Sequence, residues 1–414
     1  MLKKSEYSLL ALSLFIAVFI FVFYQIGLDP LLKEKSAKGS EIGGRIREVS
    51  THRSENELIR SVRIDLSSVD IPSDFNQYAA DIMARLVESG ANAVYISPWS
   101  DGRANYESLR APLNDFGKNG FLENFIKEAR VRNIKTYAWF VAGKDNFPFF
   151  SNPEWFAKTL DGKDYYQADE PGVELPFASL DNRDYLRYHL ELINEVNDLP
   201  IDGWVISEPV IGWGDAYDSF YTDFSLATIA RFKSKTGIDP KILFDENSDL
   251  YYENNPSLYA EWINLRAGIV TDFVAASIEE IRKKPNRTVI VTLFTEPDRN
   301  GRLTALSGIR EWLGTDVPAI AALKPDYFEL QALFADFEYP QNPVWAAEMV
   351  KQFRAQLPYG PPLLVSVQGF GVAPDDFAAA ISSAMKTDVK GVSFYAYHTL
   401  SEAHWMALGS IWGE

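Results

Sequence analysis

Residues 203–209 read GWVISEP, a short apolar run with β-branched residues at its centre that closes on a serine, a glutamate and a proline. Four to eight apolar residues between turn formers, without polar alternation, is the pattern of a strand buried on both faces. Such strands belong to parallel sheets covered by helices. Proline has no N–H to donate and ends the ladder, so Glu208 stands where the strand stops. Working outward, the same reading repeats. Before it come 61–69 (SVRIDLSSV), 91–98 (ANAVYISP) and 134–142 (IKTYAWFVA). After it come 288–295 (TVIVTLFT), 327–333 (YFELQAL), 363–370 (LLVSVQGF) and 391–398 (GVSFYAYH). Stretches with apolar residues at three- and four-residue spacing lie between most of these: 74–89, behind an N-cap at Ser73, then 120–132, 182–196, 257–284, 343–357 and 374–386. Strand–helix alternation repeated eight times predicts an α/β fold, the (β/α)₈ TIM barrel. A doubly wound open sheet is the alternative. The absence of a glycine-rich dinucleotide fingerprint after the first strand counts against it.

The N-terminus predicts a membrane address. Lys3 and Lys4 precede LLALSLFIAVFIFVFYQIGL, a nearly unbroken apolar run at 9–28. About 20 such residues span a bilayer as a helix, and the lysines favour a cytoplasmic N-terminus. The expected organisation is a cytoplasmic stub (1–7), a single transmembrane helix (8–28), a polar linker (29–60) and a barrel (61–414) on the periplasmic or extracellular side. A cleaved signal peptide is the rival. It has a shorter apolar core and a small-residue cut site, whereas this run ends in Tyr24, Gln25 and Ile26.

Composition excludes several function classes. The net charge is −17, so a nucleic acid would be repelled. There is no cysteine, hence no disulfide, thiolate metal site, cysteine nucleophile or lipidated cysteine. Only four histidines occur, at 52, 189, 398 and 404, in no HExxH-like spacing. No GxSxG elbow and no P-loop is present. Neither metal nor cofactor is expected.

In such barrels the loops after the strands carry the site. Two are long, 143–180 and 210–255. The strand ends and these loops gather Asp65, Trp99, Asp101, Trp139, Glu208, Trp213, Asp215, Glu296, Glu329, Gln331, Gln368, Tyr395, Tyr397 and His398. Carboxylates among aromatics fit glycoside hydrolysis. One carboxylic acid protonates the leaving oxygen, while a second attacks the anomeric carbon or activates water. Aromatic faces stack on sugar C–H surfaces. Glu208 is the predicted acid, with Glu296 or Glu329 as its partner; a salt bridge or capping contact is the competing reading of Glu208. Asp65 could orient a neighbour as a buried charge, and Asp101 and Asp215 contact sugar hydroxyls or cap loops. The remaining residues are predicted to line the substrate groove.

Several stretches resemble bacterial glycoside hydrolase-like barrels typified by the YngK lipoprotein: ANAVYISPWSDGRANYESLRAPL, FIKEARVRNIKTYAWFVA, SLDNRDYLRYHLELINEVNDLPIDGWVISEP, FSLATIARFKSKTGIDP, WINLRAGIVTDFVAASIEEIRKKP, KPDYFELQAL and GVSFYAYHTL. A more distant likeness is to the hydrolase domain of poly-N-acetylglucosamine export proteins. The resemblance implies a TIM barrel acting on a cell-envelope or extracellular polysaccharide. It also implies an acidic pair after the fourth strand, where this chain has Ser207 and Glu208, so the first acid is replaced by serine. Ser-Glu-Pro is similar as well to the Asn-Glu-Pro that ends the fourth strand in a large clan of retaining glycosidases. That clan's nucleophile ends the seventh strand, where this chain has Gln368. A second carboxylate must then come from another strand, or the barrel binds glycan without cleaving it. A scaffold that binds another envelope protein is a third reading, permitted by the acidic charge.

The anchor expectation has a direct check. The full chain should remain with membranes through alkaline extraction, and removal of residues 1–28 should release the protein to the supernatant.

Overall fold

The computed structural model describes residues 58–413 except 145–146, 171–172, 213–221, 296, 298–300 and 336–341. The expected stub, transmembrane helix and most of the linker lie outside these residues, as do Trp213, Asp215 and Glu296. Among the described residues no helix is long and apolar enough to cross a membrane.

The eight expected strands are all present: β1 (Ile59–Ile64), β2 (Ala93–Ile96), β3 (Lys135–Val141), β4 (Gly203–Ser207), β5 (Thr288–Leu293), β6 (Tyr327–Ala332), β7 (Leu363–Gln368) and β8 (Gly391–Tyr395). They pair in parallel, each with its sequence neighbour, and β8 closes on β1. Arg60, read above as linker, is strand: its N–H donates to Asn92 Oδ1 at 2.8 Å and its Nε to the Gly90 carbonyl at 2.8 Å.

The end of the barrel where the strands begin carries a repeated device. The residue before each of β2, β4 and β6 is Asn92, Asp202 or Asp326. Each side chain accepts the second backbone N–H of the strand before it, from Arg60, Thr136 and Val289, at 2.8 Å in every case. Asn92 and Asp202 also offer their carbonyls to the strand after, Lys135 and Thr288. Gly203 and Gly391 open β4 and β8 because a Cβ there would lie 2.1 Å from the Thr288 oxygen and 2.4 Å from the Ile59 oxygen.

Helices cover the barrel. α1 (Phe75–Glu88) is capped by Asp74, not by Ser73: the Asp74 carboxylate takes the N–H groups of Asn76 and Gln77. α2 (Phe121–Val131), α3 (Arg183–Asn197), α4 (Pro256–Arg282), α5 (Leu306–Leu313), α6 (Trp345–Gln356), α7 (Pro374–Met385) and α8 (Glu402–Trp412) follow. The sequence reading missed α5 and α8. α5 is only two turns long, and α8 (EAHWMALGSIW) carries apolar residues on several sides, so no stripe marks it. The main core lies between the outward strand faces and these helices, with Trp204, Trp262, Phe273, Phe328 and Phe394 at its centre.

The lumen is smaller and has a charged centre. Tyr95, Tyr137, Trp139, Val205, Ile290 and Leu364 pack inside it. Among them Arg63 Nη2 meets Glu329 Oε2 at 2.6 Å, both side chains nearly fully buried. Thr292 Oγ1 donates to the same Glu329 oxygen at 2.7 Å, and Ser393 Oγ to the other at 2.7 Å. The Arg63 guanidinium lies 5.1 Å from the Trp139 ring centre and 5.7 Å from that of Tyr95, within range of a cation–π contact.

Removing one partner strands a buried charge, which costs about 3–5 kcal/mol, while replacing both by apolar groups of like volume is often neutral. Glu329→Leu should therefore lower stability by that amount in urea unfolding, and Arg63→Met with Glu329→Leu should recover most of it. A double variant as unstable as the single one would contradict this account.

Candidate active site

The C-terminal ends of the strands form the mouth. β4 delivers Glu208 there in an unusual backbone conformation: its φ is +50°, in the left-handed region that non-glycine residues seldom occupy. Such strain persists where the surroundings over-determine it and is concentrated at functional sites. Here the surroundings are visible. The Glu208 N–H donates to the Thr292 carbonyl at 3.0 Å. Its carboxylate accepts from Gln331 Nε2 of β6, and Thr295 Oγ1, just past β5, donates to the Gln331 carbonyl. Glu208 is half-buried, open to the mouth yet held by an amide.

A second group lies at the ends of β1 and β8. Asp65 Oδ1 accepts the N–H and hydroxyl of Ser67 at 2.9 and 2.7 Å, capping a turn at Leu66–Ser68. Its Oδ2 faces the Tyr395 hydroxyl at 3.4 Å. His398 is close enough to feel Asp65: burial holds its pKa down, and the carboxylate pulls the other way. Trp139 forms the floor, with Nε1 donating to the Ile64 carbonyl at 2.9 Å.

Other predicted site residues are placed elsewhere. Glu329 sits in the lumen, two residues before Gln331 on β6, with both oxygens taken by Arg63, Thr292 and Ser393. With no exposed surface, it is not presented to a substrate. Gln368 is a brace: Oε1 accepts the Ala335 N–H at 2.9 Å and Nε2 donates to the Phe370 carbonyl at 3.2 Å. Trp99 faces the outer core, stacked on Phe140 at 5.7 Å with the His189 ring at 5.9 Å. Asp101 stands exposed on the tight turn of a small hairpin, Trp99–Ser100 with Arg103–Ala104, where Asp101 and Gly102 both have positive φ. Tyr397 turns toward the helices, packed on Trp405 at 5.3 Å, and burial pushes its hydroxyl up to about 12.

The sequence reading missed Arg63 and Asp223. Arg63 had a signal: in SVRID the polar residues alternate at 61, 63 and 65, as one face of a strand must. Asp223 had none. Its buried carboxylate accepts the N–H groups of Lys158 and Ser225 at 3.0 and 2.7 Å and the hydroxyls of Ser179, Ser225 and Thr228. It thereby ties together the loops after β3 and β4, while burial raises its pKa. Among the described residues no group of three His, Cys, Asp or Glu could hold a metal ion.

No family model matches the chain, and no curated protein does. Solved structures do. The PgaB (BpsB) glycoside hydrolase domain from Bordetella bronchiseptica superposes with a TM-score of 0.62 at 15% identity, over 84% of this chain and 95% of that one. The catalytic domain of β-amylase from Paenibacillus polymyxa gives 0.58 at 11% identity, over 86% and 97%. The endo-1,4-β-mannanase from Rhizomucor miehei gives 0.55 at 14% identity, over 88% and 97%. At these identities the likeness is one of fold: the chain is a barrel similar to those of glycoside hydrolases.

His189 yields a test of the outer core behind Trp99. It is fully buried against Phe140 and Phe273, at 4.5 and 4.8 Å, and burial holds its pKa down at about 3. A histidine depressed in the folded state costs stability as pH falls below its unfolded value of about 6.5, because only the unfolded chain takes up the proton. Between pH 7 and pH 5 this amounts to about 2 kcal/mol. In urea titrations His189→Leu should lose about that much less stability over the same interval.

Proposed function

We propose that this chain is a membrane-anchored glycoside hydrolase acting on a cell-envelope or extracellular polysaccharide, with Glu208 as the proton-transferring carboxylate. The observation that carries the reading is Glu208 itself: a carboxylate at the end of β4, in a strained backbone conformation, half-buried and fixed by the Gln331 amide. The solved glycoside hydrolases above, whose barrels it resembles, are each under 25% identical to it. The apolar run at 9–28 and the lysines before it support placing the barrel outside the cytoplasm.

Glycoside hydrolysis needs a second carboxylate. Glu329 is neutralised by Arg63, which leaves Glu296 as the partner we propose. It directly follows Thr295, whose hydroxyl is bonded to Gln331, the residue that holds Glu208. Asp65, Tyr395 and His398 supply the opposite wall for the sugar, and Trp139 its floor. A second reading, a glycan-binding barrel without turnover, is favoured by one specific feature: where β7 ends there is an amide, Gln368, committed to bracing two backbone segments.

The experiment is reducing-end release by the purified full-length chain across a panel of envelope polysaccharides, with binding measured in parallel. Glu208→Gln should lower kcat by roughly 10²–10⁴, the usual worth of a general acid or base, with glycan affinity retained. Undiminished turnover in Glu208→Gln would sink the hydrolase reading. Binding by the unaltered chain with no product at any pH would establish the second one.

A further inference from the structure

Two buried polar groups beside Glu208 have no hydrogen-bond partner among the described residues: the Ser207 hydroxyl and the Gln331 Oε1. Ser207 has no exposed surface and Gln331 is 6% exposed. Both face the lumen. Val205, two residues before Ser207, packs in the lumen cluster, and Glu329, two residues before Gln331, reaches Arg63. The register sets Ser207 beside Thr292 and Thr292 beside Glu329, so Gln331 stands one layer nearer the mouth than Ser207. The bond from Gln331 to Glu208 directs the amide toward the end of β4, where Ser207 immediately precedes Glu208.

The orientation of that amide follows from its bond: Gln331 Nε2 donates to Glu208 Oε1, so Oε1 of the same amide turns away from it. The result is a buried acceptor, Gln331 Oε1, and a buried hydroxyl, Ser207 Oγ, that can donate or accept. Interiors rarely leave such groups unmet, because each retains the cost of losing its water. Their neighbours at the same depth are satisfied: Thr292 and Ser393 both donate to Glu329. The other lumen groups in question belong to β1 and β2, where the Tyr95 and Ser61 hydroxyls face each other and Arg63 Nε has no bond among the described residues.

A ligand that fits must give one hydrogen to Gln331 Oε1 and can take one from, or give one to, Ser207 Oγ; a hydroxyl or a water meets both demands. We infer that Ser207 and Gln331 form a hydroxyl-binding subsite at the foot of Glu208, filled by a water or by one hydroxyl of a bound carbohydrate. The carbohydrate alternative rests on the function proposed above; the water does not.

The test is a high-resolution crystal structure of the full-length chain in detergent, alone and soaked with chitotriose, for the unaltered protein and for Ser207→Ala. The expected result is an oxygen within about 3.2 Å of both Ser207 Oγ and Gln331 Oε1, lost in Ser207→Ala with the melting temperature little changed. A water that stays when sugar binds assigns the subsite to solvent. A sugar oxygen in its place assigns it to substrate. An empty space in the unaltered protein, or an oxygen that persists unmoved in Ser207→Ala, overturns the inference. If the oxygen is present while Glu208→Gln leaves turnover undiminished, the subsite stands and the hydrolase reading alone falls.

Discussion

The structure depends on how it keeps a charge inside the barrel. Arg63 and Glu329 meet in the lumen, where each alone would be strongly unfavourable. Their neighbours are chosen accordingly. Thr292 and Ser393 supply hydroxyls to the carboxylate, while Trp139 and Tyr95 lay aromatic faces against the guanidinium. The pair links β1 to β6 across the lumen, two strands that share no ladder. The same strands carry Asp65 and Gln331 two positions further on, at the mouth. Fixing Arg63 against Glu329 therefore also fixes the distance between the two walls of the candidate site.

This arrangement separates two kinds of carboxylate. Glu329 is fully buried and compensated by a cation, and is thereby withdrawn from chemistry. Glu208 is half-buried and held by a neutral amide, which positions it without a cation paired to it among the described residues. One strand, β6, supplies both partners: Glu329 downward to Arg63 and Gln331 upward to Glu208. The long loops above are stiffened by their own buried carboxylate, Asp223, through backbone and hydroxyl donors.

All eight strands were legible because buried parallel strands announce themselves by composition alone, and Glu208 because a proline marks where its strand ends. Trp99 and Tyr397 were misplaced for a common reason. Each lies beyond the last residue of its strand, where the alternation of faces no longer holds, and in the structure both turn outward to the helical layer. Glu329 shares its strand face with Gln331, two residues on, but its depth could not be read without its partner. Arg63 lies 266 positions away, and no local pattern connects them. Gln368 looked like a substrate contact because its position at the end of β7 is right; its amide is consumed by two backbone groups that only the folded chain brings near.

The rim opposite the mouth has a different consequence. Asn92, Asp202 and Asp326 lock β2, β4 and β6 each to the strand before it, so the register of these three pairs is set where the strands begin. Three of the four successive strand pairs are thus units closed by their own side chain. The ends that carry the candidate site have no part in that closure. Substitutions at the mouth can accumulate without disturbing the pairing that makes the barrel, and a lineage of such proteins is free to lose an acid here or gain a tryptophan there while the fold is held from the far side.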